Sequence, residues 1–408
     1  MNIWLINHYA VPLKYWPGNR TPQFAKYMLR EGHNVRVIAA STVHNSDVNL
    51  IEDDRLYREE TVDGVPFTYI KCRQYKGNGL GRIFNMLEFP LKLDRVYKQF
   101  LEKPDVVLGS SLTPFACMEA IRIARRYGAK SIVEIRDLWP ETAVAYGMLG
   151  TNNPILIPMR MAEKKLYEAA DEVIFTQEGG YDYIKERGWE NDIPQTKVHY
   201  VNNGIDLEIF DQNREKFQIE DDDLDNGETF KVVYTGSIRR VNNLGKLLDV
   251  ARRIQNRKIK FLIWGKGDEL PALEKRIEKE NIHNVAFKGY VDKIFIPSIA
   301  NRADLNIVHN ASTPIWRFGA SLNKLFDYMA AGKPILADFP CRYNPLITCG
   351  AGIEVSNPTV ENIAKAIEDF AAMDKETYAG YCKNARKGAE EYDFKSLTKK
   401  LLAVMTEE

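Results

Sequence analysis

The segment densest in reactive and ligand-binding residue types is Pro314–Asp338, PIWRFGASLNKLFDYMAAGKPILAD. Phe318-Gly319-Ala320-Ser321 reads as a tight loop ahead of a helix that opens near Asn323. Backbone N–H groups at a helix start, at the positive end of its dipole, suit a phosphate. Lys324 falls in the first turn and Asp327 one turn later, so the two share a face. A cation beside phosphate, with a carboxylate one turn on for ribose hydroxyls, makes a nucleotide-diphosphate site. The alternative is a capped surface helix carrying a Lys–Asp pair. Two strand-end loops join the list. Thr235-Gly236-Ser237-Ile238-Arg239-Arg240 combines a glycine, which lets a ligand approach the backbone, with two arginines able to pair with a diphosphate. Two solvated arginines on a loop are the alternative. Trp264-Gly265-Lys266-Gly267-Asp268 is a turn at the same predicted edge and contains neither a Walker motif nor G-x-G-x-x-G.

In the first half, Glu134-Ile135-Arg136-Asp137-Leu138-Trp139-Pro140-Glu141 ends a predicted strand. Asp137 is placed to orient an acceptor hydroxyl or accept its proton; an internal Arg–Glu salt bridge is the alternative. Tyr15-Trp16-Pro17-Gly18-Asn19-Arg20-Thr21 offers backbone groups to a substrate around Gly18, or is a plain Pro-Gly turn. His8 and His309 end strands and are expected to line a cleft, with His33, His44, His199 and His283 on the surface. No His spacing fits a metal, and no G-x-S-x-G elbow marks a hydrolase. Asp221-Asp222-Asp223, within EDDDLDNGE, reads as a solvated interdomain loop rather than a metal cluster.

The elements that must carry these residues alternate. Strands are predicted at 2–7, 34–40, 67–70, 105–109, 131–135, 172–176 and 198–201, with helices at 22–31, 82–101, 114–127 and 157–169; Pro90 is expected to kink the second helix. A second βα series runs from 230 to 372. Two such series predict two doubly wound α/β domains with parallel sheets, whose ligands bind outside the carboxyl ends of the strands. Facing edges would form a deep cleft. The predicted domains are 1–203 and 204–389, with a helix at about 390–408 packing back on the first.

Composition excludes several classes. The formal net charge of zero argues against a nucleic-acid partner. Five cysteines (Cys72, Cys117, Cys341, Cys349 and Cys382) with no C-x-x-C pair predict reduced thiols and a cytoplasmic setting. The start, MNIWLIN, lacks the features of a signal peptide, and no run reaches the ~20 apolar residues of a membrane span. The 82–101 helix interleaves Ile83, Phe84, Met86, Leu87, Phe89, Leu91, Leu93 and Val96 with Arg82, Lys92, Arg95 and Lys98. Such a helix can lie on an anionic membrane, with Leu156, Ile157 and Met159 as a second contact; a core-facing stripe is the alternative.

Asn323-Lys324-Leu325-Phe326-Asp327-Tyr328-Met329-Ala330-Ala331-Gly332-Lys333-Pro334 resembles the E-A-M-A-x-G-x-P segment of the retaining GT-B glycosyltransferases often called family 4. Val201–Asp206, Phe287–Val291 and Arg302–Asp304 are similar to three further landmarks of that family, and Arg136–Glu141 resembles its subgroup for deoxy-amino sugars in bacterial O-antigen and capsule synthesis. The resemblance covers nearly the whole chain. It implies two Rossmann-like domains facing across a cleft, and transfer of a sugar from a nucleotide-sugar, UDP-linked, to a glycan or polyprenyl-diphosphate-linked acceptor with retention and without a metal or other cofactor. Peripheral contact with the inner face of the plasma membrane goes with it. Donor-side residues would be Gly236, Arg239, Arg240, Gly265, Val291, Gly319, Ala320, Ser321, Asn323, Lys324 and Asp327. Acceptor-side residues would be Gly18, Arg136 and Asp137, and Asp137, Lys324 and Arg240 would serve catalysis. Three departures stand out: Gly319 replaces the family's first acidic residue, Ser237 and Asn242 replace its loop Arg and Lys, and Arg136-Asp137 replaces its His-Asp. An epimerase of the same architecture and a non-catalytic nucleotide-sugar or glycan binder are the competing readings; a dinucleotide dehydrogenase is disfavoured by the absent fingerprint glycines.

Overall fold

The computed structural model describes residues 1–406 apart from Pro17, Asn45, Asn78 and Leu112. The chain divides into two compact units. The first is Met1–Asn202 together with the segment from Phe394 onward, and the second is Asn203–Asp393.

The first unit is built on β1 (Asn2–Ile6), β2 (Asn34–Ala40), β3 (Tyr57–Val62), β4 (Val65–Ile70), β5 (Val106–Ser110), β6 (Lys130–Ile135), β7 (Glu172–Phe175) and β8 (Val198–Tyr200). Their order is β3-β4-β2-β1-β5-β6-β7-β8, parallel except for β3. Apolar, β-branched runs such as NVRVIAA make the inner strands because both faces are covered by helices. The chain direction across the sheet reverses between β1 and β5, which opens a crevice at their carboxyl ends. Strand β3 escapes the sequence reading. YREETV has no apolar face to announce it, but Asp63-Gly64 behind it is a hairpin signal, and both residues take positive φ. The helix Leu80–Val96 runs through Pro90 as one element. The C-terminal helix begins at Phe394 rather than near 390, because 390 and 391 complete the helix Lys375–Glu391. Phe394, Leu397, Leu401 and Val404 enter the same core as Ile3, Leu5, Phe24 and Met28, and the rings of Phe394 and Phe24 meet edge-on at 5.4 Å.

The second unit holds β9 (Phe230–Thr235), β10 (Ile259–Trp264), β11 (Val285–Phe287), β12 (Leu305–Val308), β13 (Ile335–Ala337) and β14 (Gly352–Glu354). All are parallel, in the order β11-β10-β9-β12-β13-β14. Numbered within the unit this is 3-2-1-4-5-6, the order of mononucleotide-binding halves, with its switch point between β9 and β12. The acidic run before β9 is not a solvated loop. Asp206 caps a helix at Leu207–Lys216, and Asp221 caps a short helix at Asp222–Asp225 whose Leu224 is buried. Lys288 pairs with Asp221 at 2.8 Å and with Asp223 at 2.7 Å, and Lys260 of β10 also pairs with Asp223. One leucine among the carboxylates, facing two lysines, is enough to dock the run on the sheet.

Candidate functional site

At the switch point of the second unit, the strand-end loops are stitched together beyond the sheet. Gly236 N–H donates to Trp264 O at 3.0 Å, Ile238 N–H to Lys266 O at 3.0 Å, and Gly265 N–H to Gly289 O at 2.8 Å. The approach is so close that a Cβ on Gly265 would lie 1.8 Å from the Gly236 carbonyl oxygen, and one on Gly267 would lie 1.9 Å from that of Ile238. Gly265, expected on the donor side, is thus a glycine first because its neighbouring backbone requires it.

Lys324 reaches into this loop from the helix Asn323–Ala330. Its Nζ donates to Tyr234 Oη at 2.9 Å, lies 4.1 Å from the centre of that ring, and would be 2.9 Å from a Cβ on Gly236. Burial pushes the amine down to about 7, partly opposed by the negative charge of Asp338. The surface Lys–Asp pair does not form: Asp327 is buried and accepts from Lys293 Nζ at 3.2 Å. Tyr328, one turn after Lys324, accepts from Thr235 N–H at 2.8 Å and so ties the helix to β9. Sequence reasoning missed both tyrosines. Tyr328 was within reach of it, since it lies four residues from Lys324 on one helical face.

The helix start is open. Gly319 has φ 105°, a left-handed conformation that favours glycine, and ends the turn Pro314–Phe318. Leu322 stands at the N-cap and supplies no side-chain cap. Ala320 is buried, Ser321 Oγ accepts from Asn203 N–H at 3.3 Å, and Asn323 Oδ1 accepts from Asn203 Nδ2. Arg239 and Arg240 are exposed on the β9 loop, with no ion pair or side-chain hydrogen bond among the described residues. Asn242, at the position of the family's lysine, is buried and accepts from Ser237 Oγ at 2.7 Å. Val291 is half-buried against the cluster around Leu224 and Trp264, and Lys266 lies 3.7 Å from the centre of the neighbouring Tyr290 ring.

Neither strand-end histidine is available to a ligand. His309 is fully buried, contacts Asp338 through Nδ1, and donates from Nε2 to Asn243 O at 2.8 Å. His8 is buried against Asn85 Oδ1 at 2.7 Å, and burial pushes its pKa down to about 4, so its ring is neutral. Among the described residues no group of His, Cys, Asp and Glu side chains has the makings of a metal site.

In the first unit the buried salt bridge has a partner other than the one expected. Glu134 pairs with Arg20 Nη2 at 2.7 Å and accepts from Ser110 Oγ at 2.6 Å. Glu141 pairs with Arg160 at 2.8 Å and Arg187 at 2.7 Å. Arg136 has neither glutamate. Asp137 is half-buried, and burial raises its carboxyl pKa against the opposing pull of Arg136. Gly18 precedes Asn19, which caps the helix Arg20–Arg30; Pro17 lies outside the described residues. On the helix Leu80–Val96, Phe89, Leu93 and Val96 face the core, whereas Leu80, Ile83, Phe84 and Leu91 are exposed. Lys92 is bound to Glu88 at 2.6 Å. Of the second apolar group, Leu156 is buried and Ile157 exposed.

Two parallel-sheet Rossmann-like units carrying a phosphate-suited switch point define the GT-B type of fold. Similarity to known proteins agrees. Residues 17–204 match the glycosyl transferase 4-like domain, and residues 229–372 match the glycosyl transferases group 1 domain. The putative colanic acid biosynthesis glycosyl transferase WcaI of Escherichia coli (strain K12) is 21% identical over 306 residues, 71% of this chain and 72% of that protein. The sucrose-phosphate synthase of Thermosynechococcus elongatus superimposes with a TM-score of 0.70 at 16% identity, covering 99% of this chain and 98% of the other. HepE of Anabaena, solved in complex with UDP-glucose, gives 0.64 at 14% identity over 100% of this chain and 99% of its own. Glycosyltransferase domains thus take up most of the chain, and the protein is a GT-B glycosyltransferase.

Proposed function

We propose that the enzyme transfers a sugar from a UDP-linked donor to a glycan or polyprenyl-diphosphate-linked acceptor, with retention, in bacterial surface polysaccharide synthesis. The observation that carries the donor half is Lys324, a desolvated amine beside Gly236 at the uncapped start of a helix, at the switch point of a 3-2-1-4-5-6 sheet. The UDP-glucose bound to HepE supports the choice of nucleotide, and the colanic acid role named for WcaI supports the pathway. Lys324, with Arg239 and Arg240, stabilises the diphosphate as negative charge grows on it in the transition state. The backbone around Gly319, Ala320 and Ser321, with Asn323 at the helix start, holds phosphate or sugar, Asp327 takes the ribose hydroxyls, and the base lies along Gly265 and Val291. Gly18, Arg136 and Asp137 serve the acceptor. The leaving phosphate accepts the acceptor's proton on the face it departs from, so the reaction needs neither a protein nucleophile nor a metal.

Contact with a membrane is part of the same reading. A helix packed on a sheet ordinarily turns a polar face outward, yet Leu80, Ile83, Phe84 and Leu91 are exposed on the face opposite the buried one. Among the described residues no helix is long and apolar enough to cross a bilayer. The decisive experiment incubates the purified chain with a panel of UDP-sugars, with and without undecaprenyl- or farnesyl-diphosphate-linked acceptors. UDP release that depends on the acceptor, with a product of retained anomeric configuration by NMR, is the expected result. Turnover of the donor alone to its epimer, or donor binding without any turnover, would replace this reading with an epimerase or a binding protein.

A further inference from the structure

The backbone of Arg136 is clamped on both sides. Its N–H donates to Ser111 Oγ at 3.0 Å, and its carbonyl accepts from Thr176 Oγ1 at 3.1 Å and Gln177 Nε2 at 2.9 Å. Those partners follow β5 and β7, the two neighbours of β6, so three adjacent strand ends fix one residue. Its half-buried guanidinium nevertheless makes no ion pair or hydrogen bond among the described residues. Glu134, two residues earlier, is engaged by Arg20 and Ser110. Asp137, the next residue after Arg136, makes no ion pair with it within 4 Å; burial raises its carboxyl pKa and the charge of Arg136 pulls it back down. Arg20 is buried too, and its Nε and Nη1 have no hydrogen-bond partner; Thr113 Oγ1, at the same strand edge, has none either. After burial and Glu134, the positive charge of Arg136 is a further influence on Arg20, so the two guanidiniums feel each other. This edge therefore holds an Arg136 guanidinium bonded to no acceptor among the described residues, and more buried donors than the protein's own acceptors serve. Partly buried charge is normally paired, and buried donors are normally bonded.

We propose that the carboxyl edge of the first unit's sheet binds an anionic group, phosphate or carboxylate, on a sugar substrate, and that Arg136 is the residue that grips it. The proposal rests on the glycosyltransferase reading and deepens it, since it makes one substrate acidic. A bidentate guanidinium contact suits both oxyanions. Two sources share that chemistry: an acceptor carrying a phosphate or diphosphate, and a donor carrying a uronic acid.

Binding is tested first, without turnover. Trp139, half-exposed three residues away, reports through its fluorescence. The full chain is titrated with glucose 6-phosphate, glucuronate and glucose, alongside Arg136→Gln and Trp139→Phe. The expected result is a saturable change with at least one anionic sugar, absent with glucose, lost in Trp139→Phe, and weakened about tenfold or more in Arg136→Gln. Arg136→Gln should melt no lower than wild type, because its side chain holds nothing in the free protein. Equal response to glucose, no response to either anionic sugar, an unchanged response in Arg136→Gln, or a clearly lowered melting temperature in that variant overturns the proposal. Transfer assays then separate the sources, comparing UDP-glucuronate with UDP-glucose, and a farnesyl-diphosphate-linked sugar with its octyl glycoside. The charged member of one pair should be preferred by about tenfold or more in wild type and not in Arg136→Gln. Transfer with no preference in either pair overturns the proposal and leaves the glycosyltransferase reading standing. Anion binding with no transfer in any combination does the reverse.

Discussion

Replacing Lys324 by methionine isolates the charge at the centre of the proposed donor site. The two side chains have similar length, and the methionine thioether can still lie over the Tyr234 ring, so packing near the Gly236 loop is largely kept. What disappears is an amine 2.9 Å from Tyr234 Oη, desolvated enough for its pKa to fall to about 7. A diphosphate beside it restores the ammonium form, and the resulting charge-assisted contact is worth about 1.5–3 kcal/mol. UDP should therefore bind about tenfold to about a hundredfold more weakly to Lys324→Met. The same linkage makes wild-type affinity depend on pH. The free site is protonated below about 7 and the bound site stays protonated to higher pH, so binding takes up a proton in between. UDP affinity should fall as pH rises above 7, by up to about tenfold per pH unit, and the variant should lack that slope. Stability carries the opposite sign. The folded-state pKa lies below the ordinary lysine value, so the folded chain holds fewer protons than the unfolded chain above pH 7. This group's contribution to stability therefore increases with pH until the unfolded lysine also titrates. Calorimetric titration with UDP at several pH values, in two buffers of different ionisation enthalpy, reads affinity and proton uptake together. Equal affinity in variant and wild type, or a wild-type affinity flat from pH 6 to pH 9, would refute the assignment of Lys324 to the diphosphate.

Other expectations follow from neighbouring features. Glu134→Ala should lower stability by about 3–5 kcal/mol, because it strands the buried Arg20 charge, and joint replacement of both by apolar residues should recover much of that loss in denaturant unfolding. Gly265→Ala should cost about 1–3 kcal/mol and weaken UDP binding as well, since its methyl group meets the Gly236 carbonyl; a crystal structure or a UDP titration with wild-type affinity would contradict this. Transfer should survive EDTA; loss restored by magnesium or manganese would require a metal mechanism. Wild type should float with anionic liposomes, whereas a variant with serine at Ile83, Phe84 and Leu91 should remain in the unbound fraction. Equal flotation of the two would remove this helix as the contact.

The parallel strands and the Lys324 helix were legible in the sequence because each is announced locally. NVRVIAA is a buried strand on its face, and small residues ahead of an apolar helix mark a switch-point loop. What pairs with what was not legible. Lys324 and Asp327 do lie one turn apart, as expected, but Tyr234 and Lys293 claim them from other elements, and only the fold brings those together. Arg20 takes Glu134 for the same reason, leaving Arg136 without the glutamate that proximity in the chain would have given it. Periodicity failed for β3, whose three charged residues suit an edge strand and discourage pairing with another chain. Composition misled at Glu220–Glu228, where a single buried leucine outweighs the carboxylates around it.

The helix Phe394–Thr406 has a bearing on biogenesis. Domains ordinarily mature on the ribosome in the order in which they are made. Here the first unit draws Phe394, Leu397, Leu401 and Val404 into its core from beyond the end of the second. The second unit is continuous in the chain and can close while its predecessor still waits for those side chains. Throughout that interval Phe24 and Met28, on the helix Arg20–Arg30, lack part of their apolar cover. Nascent chains long enough to expose Asp393 but not the helix Phe394–Thr406 should therefore hold a finished second unit behind an unfinished, chaperone-seeking first one, reversing the usual N-to-C sequence of maturation.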